Sequence, residues 1–125
     1  MAKLPEEVSV AWEEREGPAV LATVDAQGMA NAIYATCVRS FDNDKIVVAD
    51  NYFNKTRANI KGGSRGSVLF ITKGNKSYQV KGSVDYLTDG PIYDAMRESL
   101  DPKFPVHAVA VVNAEEVYRG GEKLA

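Results

Sequence analysis

The stretch Ile46-Val47-Val48-Ala49-Asp50-Asn51-Tyr52-Phe53-Asn54-Lys55-Thr56-Arg57-Ala58-Asn59-Ile60 reads as a buried strand that ends in a polar turn and enters a short helix at once. Asn54 stands where a helix N-cap belongs. The free backbone N–H groups after it, the positive helix end, the Lys55 ammonium and the Thr56 hydroxyl would then converge on one point. Such a point binds a phosphate. The same residues are also consistent with an ordinary capped surface helix whose Lys and Arg are solvated. Taken alone, they leave both readings open.

Working outward, Leu4, Val8, Ala11 and Trp12 recur at helical spacing between Pro5 and Gly17-Pro18, which predicts an amphipathic helix laid over the domain. Ala19 to Val24 reads as a strand, Asp25-Ala26-Gln27-Gly28 as a turn, and Ala30 to Phe41 as the returning strand of a hairpin. Phe41 to Asp44 makes a second turn before the strand from Lys45 to Asp50. Beyond the short helix from about Lys55 to Lys61, Gly62-Gly63-Ser64-Arg65-Gly66 breaks the chain. Ser67 to Thr72 is then a strand, Lys73 to Lys76 a turn, and Ser77 to Leu87 a long strand. Gly90-Pro91 opens another helix that Asp101-Pro102 and Pro105 stop, and Val106 to Val112 is the last strand. Six strands with short connections and small flanking helices predict a mainly β barrel or sandwich.

Composition bounds the partners. With 125 residues, 45% of them hydrophobic, the chain is expected to form a single domain over residues 1–125 with a core of its own. The formal net charge is -2 and no Lys/Arg-rich run occurs, so no nucleic-acid partner is expected. No apolar run approaches the ~20 residues of a membrane span, and Met1 to Glu7 lacks the apolar core of a signal peptide; the expectation is a cytoplasmic protein without a membrane partner. One cysteine, Cys37, allows no disulfide within the chain and no cysteine-based metal cluster; with one histidine, His107, a metal site would have to be built mostly from carboxylates, and none is expected.

The order of these elements resembles a known family. A hairpin, a strand ending in Asn54-Lys55-Thr56, the buried Val68-Leu69-Phe70-Ile71 strand, and Val80-Lys81-Gly82-Ser83-Val84 leading into Thr88-Asp89-Gly90-Pro91 are similar to the FMN-binding split β-barrels of the pyridoxamine 5'-phosphate oxidase-like superfamily. Within it the likeness is to the small bacterial FMN-binding proteins, over roughly Gly17 to Glu116. The resemblance implies a six-stranded split β-barrel that binds FMN, with Lys55 and Thr56 on the phosphate. It implies that Asn31 contacts the flavin region, that Ala32 and Ile33 line the ring through their backbone, and that Ala49, Asp50, Asn51, Tyr52 and Phe53 wrap its edge, with Asn54 the cofactor-binding residue between that loop and the phosphate. In the small FMN-binding proteins that loop is glycine-rich, so Tyr52 and Phe53 change the expected seat of the ring. The resemblance further implies a homodimer with the flavin in the groove between subunits.

Other residues carry competing readings. Asn31 could instead satisfy a hairpin edge, Tyr52 and Phe53 could pack in the core, and Arg57 reads as a surface ion pair. Arg65 would either reach a phosphate or, the preferred reading, cover a helix end. Cys37 reads as a small buried hydrophobe and His107 as structural. Gln79 and Lys81 lie on a strand face turned to a partner subunit or to solvent.

No Ser/His/Asp set, Gly-x-Gly-x-x-Gly loop or Walker-type Gly-Lys-Thr occurs. This is no objection to a flavoprotein, because a flavin carries its own reactivity. The Arg-x-His element that pyridoxamine phosphate oxidases use after the last strand is absent, which argues against that activity. The resulting expectation is a flavoprotein in electron transfer, with a redox partner protein, or a small flavin-dependent oxidoreductase. The alternative is a non-enzymatic module for haem, a deazaflavin or another phosphate-bearing ligand.

Overall fold

The Asp25–Gly28 turn closes as expected, because the Asp25 carboxylate accepts the N–H groups of Gln27 and Met29, both at 2.9 Å. It joins β1 (Ala19–Val24) to β2 (Ala30–Ala35), paired antiparallel with Leu21 opposite Ile33. The second turn places Asp42 and Asn43 both at positive φ, as a tight hairpin demands, between β3 (Val38–Phe41) and β4 (Lys45–Asp50). The computed structural model describes residues 2–125. Its further strands are β5 (Gly66–Ile71), β6 (Ser77–Gly82), β7 (Val84–Leu87), β8 (Ala108–Asn113), β9 (Glu116–Arg119) and β10 (Glu122–Lys123). The helices are α1 (Glu6–Glu13), α2 (Lys55–Lys61) and α3 (Pro91–Ser99).

These strands form two antiparallel sheets, one in the order β10-β9-β6-β5-β1-β2 and one in the order β3-β4-β8-β7. The mainly β split barrel is thus present, its two sheets leaving a seam. The strand count is higher than six because two long strands turn corners. Ala30 to Phe41 breaks at Thr36-Cys37 and passes from the six-stranded sheet to the four-stranded one, and Ser77 to Leu87 does the same at Ser83. The two short C-terminal strands, β9 and β10, extend the larger sheet beyond the last strand that the sequence suggested.

Leu21, Val68 and Val80 of the larger sheet meet Ile46, Val48, Ala110 and Val112 of the smaller one in the core between them. Helix α1 covers one end of this core: Trp12 packs edge-on to Phe70 with ring centroids 5.0 Å apart, and Phe70 stacks on Tyr78. Val47, Val109 and Val111 face the other way and are covered by Met96 of α3 and by Val106. Strands β4 and β8 are therefore buried on both faces, which is why their apolar residues run without alternation. Among the described residues no helix is long and apolar enough to cross a membrane.

Candidate functional site

Strand β4 delivers the chain to the seam between the sheets, and a cavity of about 390 Å³ lies there. Its wall comes from β2 and the corner after it (Asn31, Ile33, Tyr34, Ala35, Thr36, Cys37) and from the end of β4 and the start of α2 (Ala49 and Asn51 to Thr56), with Phe104 contributed by the segment before β8. The volume falls within the range of small-molecule sites, ~300–1,000 Å³.

At one end, Asn31 donates from Nδ2 to the Thr56 hydroxyl at 3.0 Å. Thr56 is buried, and because its oxygen accepts this bond its own proton stays available to a ligand. Lys55 lies beside it and is the one charged residue of the wall. Four residues further along β2, at ~3.3 Å per residue, Ala35 stands about 13 Å from Asn31. The wall there is Ala35, Cys37, Ala49 and Phe104, with Thr36 and Asn51 as its polar members. The Asn51 side chain is fixed from both ends: its Oδ1 accepts the Val106 N–H at 3.1 Å, and its Nδ2 donates to Cys37 Sγ at 3.4 Å.

Nine of the eleven residues expected at the site therefore share this cavity wall: Asn31, Ile33, Ala49, Asn51, Tyr52, Phe53, Asn54, Lys55 and Thr56. Ala32 and Asp50 do not belong to it. Ala32 pairs with Ala22 on the outward face of the larger sheet. Asp50 is fully buried behind the wall, where its carboxylate accepts hydrogen bonds from Phe53 N–H at 3.0 Å, from Arg57 Nε and Nη2 at 2.8 and 3.0 Å, and from the Tyr86 hydroxyl. Burial alone would raise its pKa, but these donors, Arg57 first, outweigh burial and hold it below the ordinary aspartate value. The same contacts raise the Arg57 pKa, while burial followed by the neighbouring carboxylate raises that of Tyr86.

Several expectations need correction. The Asn54 side chain makes no capping hydrogen bond to α2; only its carbonyl is used, by Ala58 N–H at 3.1 Å. Arg57 forms an ion pair, but with a fully buried partner. Arg65 neither reaches the cavity nor covers a helix end, because Glu115 claims it. Cys37 is half-buried in the cavity wall. His107 is exposed and its backbone N–H donates to Asp50 O at 2.9 Å. Tyr52 is 77% exposed at the cavity, whereas Phe53 packs against the core. Five wall residues lie outside the expected set: Tyr34, Ala35, Thr36 and Cys37 continue β2 into its corner, and Phe104 sits between Pro102 and Pro105 in an irregular segment, with no periodicity to mark its direction. Among the described residues no group of three His, Cys, Asp or Glu is placed to hold a metal.

Comparison with known proteins places this geometry. The model of the pyridoxamine 5'-phosphate oxidase family matches residues 4–119. Among solved structures, HupZ of Group A Streptococcus superposes with a TM-score of 0.85 at 22% identity, covering 98% of this chain and 99% of that one. An FMN-binding protein of Syntrophomonas wolfei gives 0.76 at 20% identity, over 87% of this chain and 80% of its own. HutZ, the haem storage protein of Vibrio cholerae, gives 0.71 at 17% identity, over 97% and 98%. At these identities the superpositions speak for the fold alone. The match to the family model, which spans nearly the whole chain, carries the assignment: this chain belongs to the pyridoxamine 5'-phosphate oxidase family.

Proposed function

We propose that this protein is an FMN-binding flavoprotein acting in electron transfer or as a small flavin-dependent oxidoreductase. The supporting observation is the two-ended cavity wall. Lys55 and the Thr56 hydroxyl offer a cation and a donor at one end, and mostly apolar surface with Thr36 and the fixed Asn51 amide lies about 13 Å along β2. That order suits a ligand with a phosphate at one end and a flat ring at the other. Bound flavin would supply the redox chemistry. The chain's own residues bind the phosphate through Lys55 and Thr56, seat the ring against Ala35, Ala49 and Phe104, and offer it the Asn51 amide. The second reading is a non-enzymatic module for haem, a deazaflavin or another phosphate-bearing ligand on the same scaffold, a fold that the haem storage protein HutZ shares.

The purified protein is expected to bind one FMN per chain and to prefer it to FAD, since the wall has one cationic site and no second cradle for a dinucleotide. An ultraviolet-visible spectrum with mass spectrometry of the released ligand tests this. Preferred FAD, a haem band, or no flavin uptake would overturn it.

The active form is proposed to be a homodimer. On the outward face of the larger sheet, Tyr34, Val20 and Leu69 lie side by side in register, with Ile71 next along β5. Tyr34 is 78% exposed, and it lines the cavity as well as this face. A second copy seated there would cover apolar surface and close over the ligand in one step. Sedimentation should therefore give a dimer, and Leu69→Glu should yield monomers that bind FMN more weakly. A wild-type monomer that keeps its flavin would refute the shared groove.

A further inference from the structure

Three side chains tie α2 to the barrel, and they pull toward different sheets. Thr56 is held by Asn31 of β2, and Asn59 donates to Thr23 of β1 at 3.0 Å; both anchors belong to the six-stranded sheet. Arg57 reaches the other way, to Asp50 at the end of β4 and to the Tyr86 hydroxyl on β7, both in the four-stranded sheet. The loop between β4 and α2 hangs from the same carboxylate, because Asp50 Oδ1 also accepts the Phe53 N–H at 3.0 Å. The Asn54 side chain contributes no cap to α2. The position of Lys55 and Thr56 relative to the Asn51–Phe53 loop is thus set across the seam by Asp50, a residue that does not itself line the cavity.

We propose that Asp50, acting with Arg57 and Tyr86, is a positioning residue that fixes the spacing between the phosphate-binding side chains and the ring-binding loop, and so sets the selectivity for a phosphorylated flavin. The carboxylate also keeps Arg57 away from the ligand: with both Nε and Nη2 engaged on Asp50, its guanidinium is held off the cavity and Lys55 remains the cation of the wall. This proposal rests on the reading of Lys55 and Thr56 as the phosphate site.

The test compares FMN with riboflavin by fluorescence titration of the full-length protein. Asp50→Asn keeps the Oδ1 oxygen that accepts from the Phe53 N–H and Arg57 Nη2 but removes the charge and the Oδ2 acceptor facing Arg57 Nε and Tyr86, so the ring loop stays tied while the helix tether is weakened. FMN is expected to weaken about tenfold and riboflavin less than threefold. Tyr86→Phe, which removes one hydroxyl that donates to Asp50 and accepts from Arg57 Nε, should shift the same ratio in the same direction by a smaller factor. A merely structural role would weaken both ligands alike. Equal weakening, or an unchanged ratio in both variants, would overturn the proposal, as would tighter FMN binding by a released Arg57. Should Asp50→Asn fail to fold, Tyr86→Phe decides on the same criterion. Lys55→Ala separates the two levels of inference. If it fails to split FMN from riboflavin, the phosphate reading is at fault; if it splits them while Asp50→Asn and Tyr86→Phe do not, only the positioning role is.

Discussion

Replacing Gly82 by alanine is expected to prevent this chain from reaching its native state. A Cβ built there lies 1.6 Å from the carbonyl oxygen of Asn113 and 2.8 Å from its carbonyl carbon. These are backbone atoms at the end of β8, so no rotamer change can relieve the overlap. Excess volume in a packed interior costs ~1–3 kcal/mol even where side chains give way, against a total stability of ~5–15 kcal/mol. Here the strands themselves must part, and with them the corner by which β6 leaves one sheet and β7 enters the other. Gly66, which faces Gly82 across β5 and β6, supplies an internal comparison. Its Cβ would meet a Val84 methyl at 2.7 Å, a side chain that can turn aside, so Gly66→Ala should lower the melting temperature without abolishing folding. Gly74, in a turn with nothing within 4 Å, should accept alanine with little change. Circular-dichroism melts of the three variants give the order. A cooperative Gly82→Ala melt within a few degrees of wild type would show that the close approach is not rigid.

Gly82 also shows where sequence reading reached its limit. The alternation of buried and exposed residues in β6 continues into β7, so periodicity joins them into one strand. A glycine inside a strand is nevertheless a signal of close backbone approach, and here it marks the corner. The corresponding break at Thr36-Cys37 has no glycine or proline, and only the tertiary structure reveals it. The elements themselves were legible, because turn chemistry at Asp25–Gly28 and Asp42–Asn43 and the apolar runs of β4 and β8 are local properties. The cavity wall was legible in the contiguous run from Asn51 to Thr56, and at Asn31, Ile33 and Ala49 through the family resemblance. The pairing of Asp50 with Tyr86, the claim of Glu115 on Arg65, and the arrival of Phe104 join residues far apart in the chain, and no local pattern encodes them.

Lys55→Ala is expected to weaken FMN about tenfold or more while leaving riboflavin nearly unaffected. A charge-assisted hydrogen bond contributes ~1.5–3 kcal/mol, and Lys55 is the charged residue of the cavity wall, with Arg57 committed to Asp50. The loss should therefore appear in the ligand that carries a phosphate and not in the one that lacks it. Thr56→Ala should act in the same direction and less strongly, since its hydroxyl bond to the phosphate is charge-assisted by the acceptor alone and its loss leaves the charge of the site unchanged. It also leaves the Asn31 amide without its acceptor, so part of its effect will fall on both flavins. Added salt should narrow the gap between wild type and Lys55→Ala, because screening acts on the charge that the variant has already lost. Titration of both flavins at two ionic strengths measures all three effects. Equal weakening of FMN and riboflavin by Lys55→Ala would move the phosphate away from the start of α2, and with it the orientation assigned to the ligand along β2.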